Sequence, residues 1–240
     1  FAEYMNHQAA LLGMSNSQFT NSTGWPDNDH YSTARDIAIL SQAIIRDYPE
    51  SYRLYSEKEY TFNEIRQFNR NRLLWRDDSV DGLKTGHTEA AGYCLASSAE
   101  KDNMRLISVV LGTRSDKART QNSQTLLNYG FRFYESSRLY QAKQSLKNAK
   151  VWYGEQDEVS LGVAKDIFVT IARGRYKDLD AAVEIDPKIS APVALGQELG
   201  KLVVKLDNEV IITEPLVAMQ SINDGGIVKK AMDSIKILFE

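Results

Sequence analysis

The residues best suited to chemistry lie in one stretch, Val80-Asp81-Gly82-Leu83-Lys84-Thr85-Gly86-His87-Thr88. A lysine beside a hydroxyl can hold an anionic group, the first by charge and the second by hydrogen bond. Gly82 and Gly86 flank the pair. Glycines there strip side chains from a strand edge, so that an extended peptide can lie against it as an added strand. Taken alone, Lys84-Thr85-Gly86 is a weak signal and reads first as the start of a strand with a solvated lysine. Other chemistries lack their residues. His7, His30 and His87 form no H-E-x-x-H pattern and Cys94 is the single cysteine, which argues against a zinc peptidase or a Cys-cluster metal site. No G-x-S-x-G elbow occurs, and no metal or cofactor is expected. Cys94, inside an apolar run, reads as a buried small hydrophobe.

The elements that must position this stretch follow from spacing. Phe1, Met5, Ala9 and Leu12 fall at helical intervals, with Gly13 where a C-terminal cap belongs. Met14 to Tyr31 is rich in Ser, Asn, Asp and Gly and reads as a structured loop. Thr33 followed by Asp36 resembles a capping box, so Asp36 is expected to cap the helix whose stripe is Ile37, Leu40, Ile44 and Ile45. Glu59 to Ile65 alternates as one strand. Gly92–Ala99 and Met104–Leu111 form a hairpin around Glu100-Lys101-Asp102-Asn103. A helix is expected from about Ser115 to Tyr134, with Tyr129, Phe131 and Phe133 in the core.

Past about Ser137 the texture changes to short β-rich runs: Val151–Tyr153, Ile167–Ile171, Ala182–Ile185, Lys201–Leu206, Val210–Thr213 and Leu216–Ile222. Such spacing suggests a small sandwich or barrel, with the boundary in the polar stretch Ser136–Lys150. The last residues return to helix: Val228, Ala231, Met232, Ile235, Leu238 and Phe239 share one face, opposite Lys229, Asp233, Lys236 and Glu240. Composition agrees with a folded chain, since 240 residues at 42% hydrophobic and 25% charged are globular averages. With 29 Lys+Arg against 32 Asp+Glu, the net charge of -3 offers no overall field for a polyanion, so nucleic acid is not an expected partner. No run of apolar residues is long enough to span a membrane.

Several spaced motifs then converge. Tyr4-Met5-Asn6, Leu12-Gly13-Met14, Ser32-Thr33-Ala34-Arg35-Asp36, Asn69-Arg70-Asn71, Leu73-Leu74-Trp75, the Asp81–Thr88 stretch, Ala91-Gly92-Tyr93 and Gly130-Phe131-Arg132-Phe133 together resemble serine-type D-alanyl-D-alanine carboxypeptidases of the penicillin-binding protein 5/6 group, peptidase family S11. Val151-Trp152-Tyr153-Gly154, Ser160-Leu161-Gly162 and Arg173-Gly174-Arg175 resemble that group's β-rich second domain. Lys84-Thr85-Gly86 is similar to the third signature of penicillin-recognising enzymes, beside S-x-x-K and S-x-N. The fold class this resemblance implies is α+β. Residues 1–137 would be part of a β-lactamase/transpeptidase-like domain with an antiparallel sheet and helices. Residues 138–223 would form a small all-β sandwich-like domain, and 224–240 would begin an amphipathic membrane-anchor helix.

The resemblance implies removal of the terminal D-Ala from peptidoglycan pentapeptide stems through a serine acyl-enzyme, with β-lactams as inhibitory partners. It implies a periplasmic protein, peripheral on the outer face of the bacterial inner membrane. Lys84, Thr85, Gly86 and His87 would be catalytic, the His87 backbone N–H serving as an oxyanion donor. Lys84, Thr85, Arg119 and Arg70 would bind substrate, although an arginine is more often a plain surface charge. Arg72 stands where the family usually has Gly, which puts the local loop geometry in question. The family's S-x-x-K and S-x-N precede the region matched by Phe1, so these 240 residues are expected to lack the nucleophile and to be inactive alone. Ser98-Ala99-Glu100-Lys101 and Ser221-Ile222-Asn223 read as chance matches. The alternative is a non-catalytic wall-binding or scaffold module.

Overall fold

In the computed structural model, which describes residues 1–237, the Lys84 stretch is a strand at the edge of a three-stranded antiparallel sheet. The chain divides into two units, Phe1–Tyr134 and Glu135–Glu240. This division falls three residues before the boundary expected at 137/138. In the first unit the helices are α1 (Ala2–Leu12), α2 (Ala34–Asp47), the single turn α3 (Pro49–Tyr52) and α4 (Asp116–Phe133). The strands are β1 (Glu59–Phe62), β2 (Ile65–Phe68), β3 (Val80–Thr88), β4 (Gly92–Lys101) and β5 (Met104–Thr113).

The sheet runs β3-β4-β5, with Lys84 opposite Ala96 and Gly86 opposite Cys94. Strand alternation sends the residues of β4 to opposite faces. Leu95 and Ala99 pack with Leu73, Leu74, Val80 and Leu127 of α4, while Ala96 packs with Leu83 and Tyr52 against Ile37, Ile44 and Ile45. Each fully buried leucine contributes about 2 kcal/mol by removal of apolar area from water. Gly13 caps α1 in the left-handed conformation, at φ 80. Ser115 caps α4 by accepting the Ala118 N–H.

Three expectations for this unit are corrected. The run Glu59–Ile65 is not one strand but the start of a hairpin: Asn63 and Glu64 take φ of 48 and 65, so the chain reverses between β1 and β2. Asp36 does not cap its own helix. Thr33 Oγ1 does that by accepting the Asp36 N–H at 3.2 Å, which frees the buried Asp36 carboxylate to accept the Asn16 N–H at 2.9 Å and the Ser17 hydroxyl at 2.7 Å. Tyr129 and Phe133 are exposed, since helical spacing turns only Leu127 and Phe131 of that segment toward the sheet.

The second unit holds β6 (Tyr134–Tyr140), β7 (Ser145–Trp152), β8 (Glu158–Gly162), β9 (Ile167–Ala172), β10 (Leu179–Ile185), β11 (Ile189–Ser190), β12 (Glu198–Leu206) and β13 (Glu209–Ala218), then α5 (Ile227–Ile237). Six strands form one sheet in the order β10-β12-β13-β8-β7-β11, and β6 pairs with β9. The core gathers Val151, Val159, Leu161, Ile167, Leu202, Val204, Leu216 and Ile222.

The polar stretch Ser136–Lys150 is not a connector but carries β6 and most of β7. Val210–Thr213 and Leu216–Ile222 are not two strands either. One strand runs through Pro215 and stops at Ala218. Pro215 faces Lys201 of β12, and β13 meets β8 only at Val217 and Ala218, so the missing N–H of Pro215 lies on an unpaired side.

Candidate active site

Hydrogen bonds of Asn71, Asn69 and Asp81 hold the Lys84 strand in place. Asn71 is fully buried and its Nδ2 donates to the Gly82 carbonyl at 2.9 Å, while its Oδ1 accepts the Leu73 N–H and so opens the turn Arg72–Trp75. Asn69 Oδ1 accepts the Asn71 N–H at 2.9 Å. Asp81, at the strand's start, accepts the Tyr52 hydroxyl at 2.6 Å and Arg105 Nη1 at 2.7 Å. Burial and that carboxylate push the Tyr52 hydroxyl well above the usual phenol value. A side chain at Gly82 would put its Cβ 2.7 Å from the Tyr52 hydroxyl, so the glycine is what lets Tyr52 reach Asp81.

Further along, Leu83 turns inward and Lys84 outward. Lys84, Thr85, Gly86 and His87 line a cleft of about 700 Å³ whose other walls include Ile37, Leu40 and Ile44 of α2 and the loop Thr23–Trp25. That loop is shaped by Asn21, whose Oδ1 accepts the N–H groups of Thr23, Gly24 and Trp25. The Lys84 ammonium donates to the Thr85 carbonyl. Burial, reinforced by the positive charges of Arg70 and Arg119, lowers its pKa below the ordinary lysine value. An ammonium so placed gains by taking an anion as partner.

At Gly86 a Cβ would meet nothing nearer than Cys94 Cβ at 3.8 Å. Packing within the chain therefore does not demand a glycine there, and the space it leaves lies open to the cleft. The His87 ring stacks on Tyr93 with centroids 3.8 Å apart.

Arg119, expected to bind substrate, is not the plain surface charge of the competing reading. It is only 5% exposed, and its Nη1 donates to the carbonyls of Gly86 at 3.0 Å and Cys94 at 3.3 Å. Its Nη2 donates to Asp116 at 2.5 Å, and Asp116 also pairs with Arg72 Nε at 2.6 Å. Arg119 thus fixes the β3 and β4 backbones at the site, and Arg72 braces it through Asp116. Arg70, Thr85, Gly86, His87, Tyr93 and Arg119 come together around a smaller cleft of about 230 Å³. Five of the six expected site residues meet there, and the sixth, Lys84, lines the larger cleft beside Arg70, Thr85, Gly86 and His87.

Sequence reasoning missed Asp116, whose i,i+3 spacing to Arg119 was the available signal, and Trp25, which had none. Cys94 is half-buried rather than buried and lines the larger cleft. Ser98 is fully buried and accepts Arg105 Nη1 at 2.7 Å, while Lys101 pairs with Asp77 at 3.5 Å. The S-x-x-K string they belong to is thereby structural. Among the described residues no cluster of His, Cys, Asp and Glu could hold a metal ion.

Residues 1–115 match the family model of D-alanyl-D-alanine carboxypeptidases, and residues 134–224 match that of the penicillin-binding protein 5 C-terminal domain. D-alanyl-D-alanine carboxypeptidase DacA of Escherichia coli strain K12 is 44% identical over 241 residues, covering 100% of this chain and 60% of that protein. The chain thus spans about three fifths of the length of that relative. Among solved structures, penicillin binding protein 5 from Haemophilus influenzae matches with a TM-score of 0.81 and 43% identity, covering 93% of this chain and 66% of the other. The D-alanyl-D-alanine carboxypeptidase DacD from Francisella tularensis matches with a TM-score of 0.62 and 31% identity over 93% of this chain and 68% of its own. With the lysine-threonine-glycine edge strand, its arginine brace and both domains matched, the chain belongs to the D-alanyl-D-alanine carboxypeptidase family, peptidase S11.

Proposed function

We propose that this chain supplies the substrate-gripping edge of a serine-type D-Ala-D-Ala carboxypeptidase that trims peptidoglycan stem peptides and is acylated by β-lactams. The observation that carries the reading is the edge strand β3, with Lys84 beside Thr85 and an uncovered Gly86, whose carbonyl Arg119 holds from behind. A peptide ending in a carboxylate lies along that edge. The Thr85 hydroxyl donates to its terminal carboxylate, while Lys84, Arg70 and Arg119 supply positive charge.

A serine hydroxyl oxygen attacks the carbonyl carbon of the last peptide bond. Its proton passes to a base and on to the departing amine, so that D-Ala leaves and an ester remains. The tetrahedral oxyanion is held by backbone N–H groups, one of them from His87. Water then cleaves the ester and restores the serine. We assign that serine to the part of the relatives' length that this chain does not span, because Ser98, the serine of its one S-x-x-K string, is buried on Arg105. The test is release of D-Ala from an acetylated peptide ending in D-Ala-D-Ala by the complete protein. No release, with folding intact, favours the non-catalytic wall-binding or scaffold reading.

A place on a membrane surface, the periplasmic one that the family resemblance implies, draws its support from the outward face of α5. Asp233 is buried, accepts the Tyr153 N–H at 2.8 Å and pairs with Lys229 at 2.8 Å, so the polar side of the helix docks on the β unit. Val228, Met232 and Ile235 are exposed instead. Leu238, Phe239 and Glu240, expected to extend these faces, lie outside the described residues. No described helix is long and apolar enough to cross a membrane. A helix lying flat on anionic lipid suits an exposed apolar face beside Lys230 and Lys236. Sedimentation with phosphatidylglycerol vesicles is expected to carry the chain down, and Ile235→Asp is expected to reduce binding about tenfold, since it puts a charge in place of buried apolar area. Unchanged binding in that variant removes the membrane reading.

A further inference from the structure

A second cleft, of about 690 Å³, shares Arg70, Tyr93 and Arg119 with the smaller one around Thr85–His87. It adds Arg72, Arg76 and Trp75. Four arginines thus face one space in a chain whose net charge is -3. Asp116 is the carboxylate that lines it, and it is already engaged by Arg72 at 2.6 Å and Arg119 at 2.5 Å. Arg70 and Arg76 have no carboxylate partner among the described residues. Arg119, though 95% removed from solvent by its 5% exposure, keeps a buried Nε with no hydrogen-bond partner. Like charges held side by side with a donor to spare are stabilised by an anion.

We propose that this cleft is a subsite for a second carboxylate, carried on the side chain of the residue that the reaction releases. The proposal rests on the carboxypeptidase reading, which places the α-carboxylate of that residue at Thr85. Because the two clefts share three walls, the side chain of the same residue is the part of the substrate that enters the second one. Trp75 offers an apolar wall for its methylenes, and the guanidinium of Arg76 offers a planar pair of donors for its carboxylate. The enzyme is thereby fitted to an acidic leaving residue as well as to D-Ala, a specificity that Lys84 and Thr85 alone do not provide.

The test compares acetylated peptides ending in D-Ala-D-Glu and D-Ala-D-Gln, which match in shape and differ in charge, by calorimetric titration against the 240-residue chain. The D-Glu peptide is expected to bind about tenfold more tightly, the worth of one charge-assisted pair. That preference shrinks as salt rises and falls in Arg76→Gln, which leaves binding of the D-Gln peptide unchanged. Equal affinity for the two peptides, binding of neither, or an undiminished preference in Arg76→Gln overturns the subsite. Release of D-Ala from a D-Ala-D-Ala peptide by the complete protein, measured alongside, decides the carboxypeptidase reading separately.

Discussion

Replacing Lys84 with alanine in the complete protein is expected to slow acylation by a fluorescent penicillin about 100-fold or more, the usual loss on removing one charge-stabilising donor from an acyl-transfer site. The fold is expected to be indifferent. The Lys84 side chain leans only on the carbonyl of its neighbour Thr85. Its ammonium is disfavoured by burial and by Arg70 and Arg119, so deleting it relieves repulsion instead of breaking a tie. Thermal stability therefore stays level or rises slightly while acylation collapses, a split that a merely structural lysine does not produce.

The pH profile sharpens this. Because the lysine titrates below its usual value, the charged form is lost as pH rises through that lowered pKa, and acylation declines there. Lys84→Arg keeps the charge at every accessible pH and is expected to abolish the alkaline decline even where its overall rate is low. Acylation that survives in Lys84→Ala sinks the proposed role of the strand and favours the scaffold.

What could be read in the sequence was local. The helix over α4, the Gly13 cap of α1, the β4–β5 hairpin and the α2 stripe all follow from spacing and cap chemistry, and all are present. The tripeptide Lys84-Thr85-Gly86 was legible as a candidate because its glycines need an explanation, and the structure supplies a partial one: Gly82 makes room for Tyr52, whereas nothing in the chain fills the space over Gly86. What could not be read depends on partners distant in sequence. Asp36 sits at a capping-box position, yet its carboxylate serves a loop 20 residues earlier. Pro215 reads as a strand break, and only the pairing of β13 on one side makes it harmless. An amphipathic helix is ordinarily docked by its apolar face, but in α5 a buried aspartate at Tyr153 reverses this.

The distance from sequence to site is greatest at Arg119, and its removal is the stricter test of how the site is held. The family resemblance implies a cation that reaches for substrate, and the geometry also engages it with two carbonyls and a carboxylate. Arg119→Ala leaves the Gly86 and Cys94 carbonyls without this donor in a place too buried for water to replace it freely. Asp116 is left with Arg72 alone. Breaking a buried charged network of this kind costs about 3 kcal/mol or more, and chemical denaturation should show that loss.

Acylation should fall by a further factor, because a strand edge that drifts no longer presents Thr85 and the His87 N–H where the oxyanion and carboxylate need them. Arg119→Lys separates position from charge. A lysine keeps the positive field but cannot span both carbonyls and Asp116 at once, so kcat is expected to drop while KM for a carboxylate-ended peptide changes less. If Arg119→Ala denatures at the same denaturant concentration as the unaltered protein, the brace is not holding the edge, and Arg119 returns to being one more charge on the cleft wall.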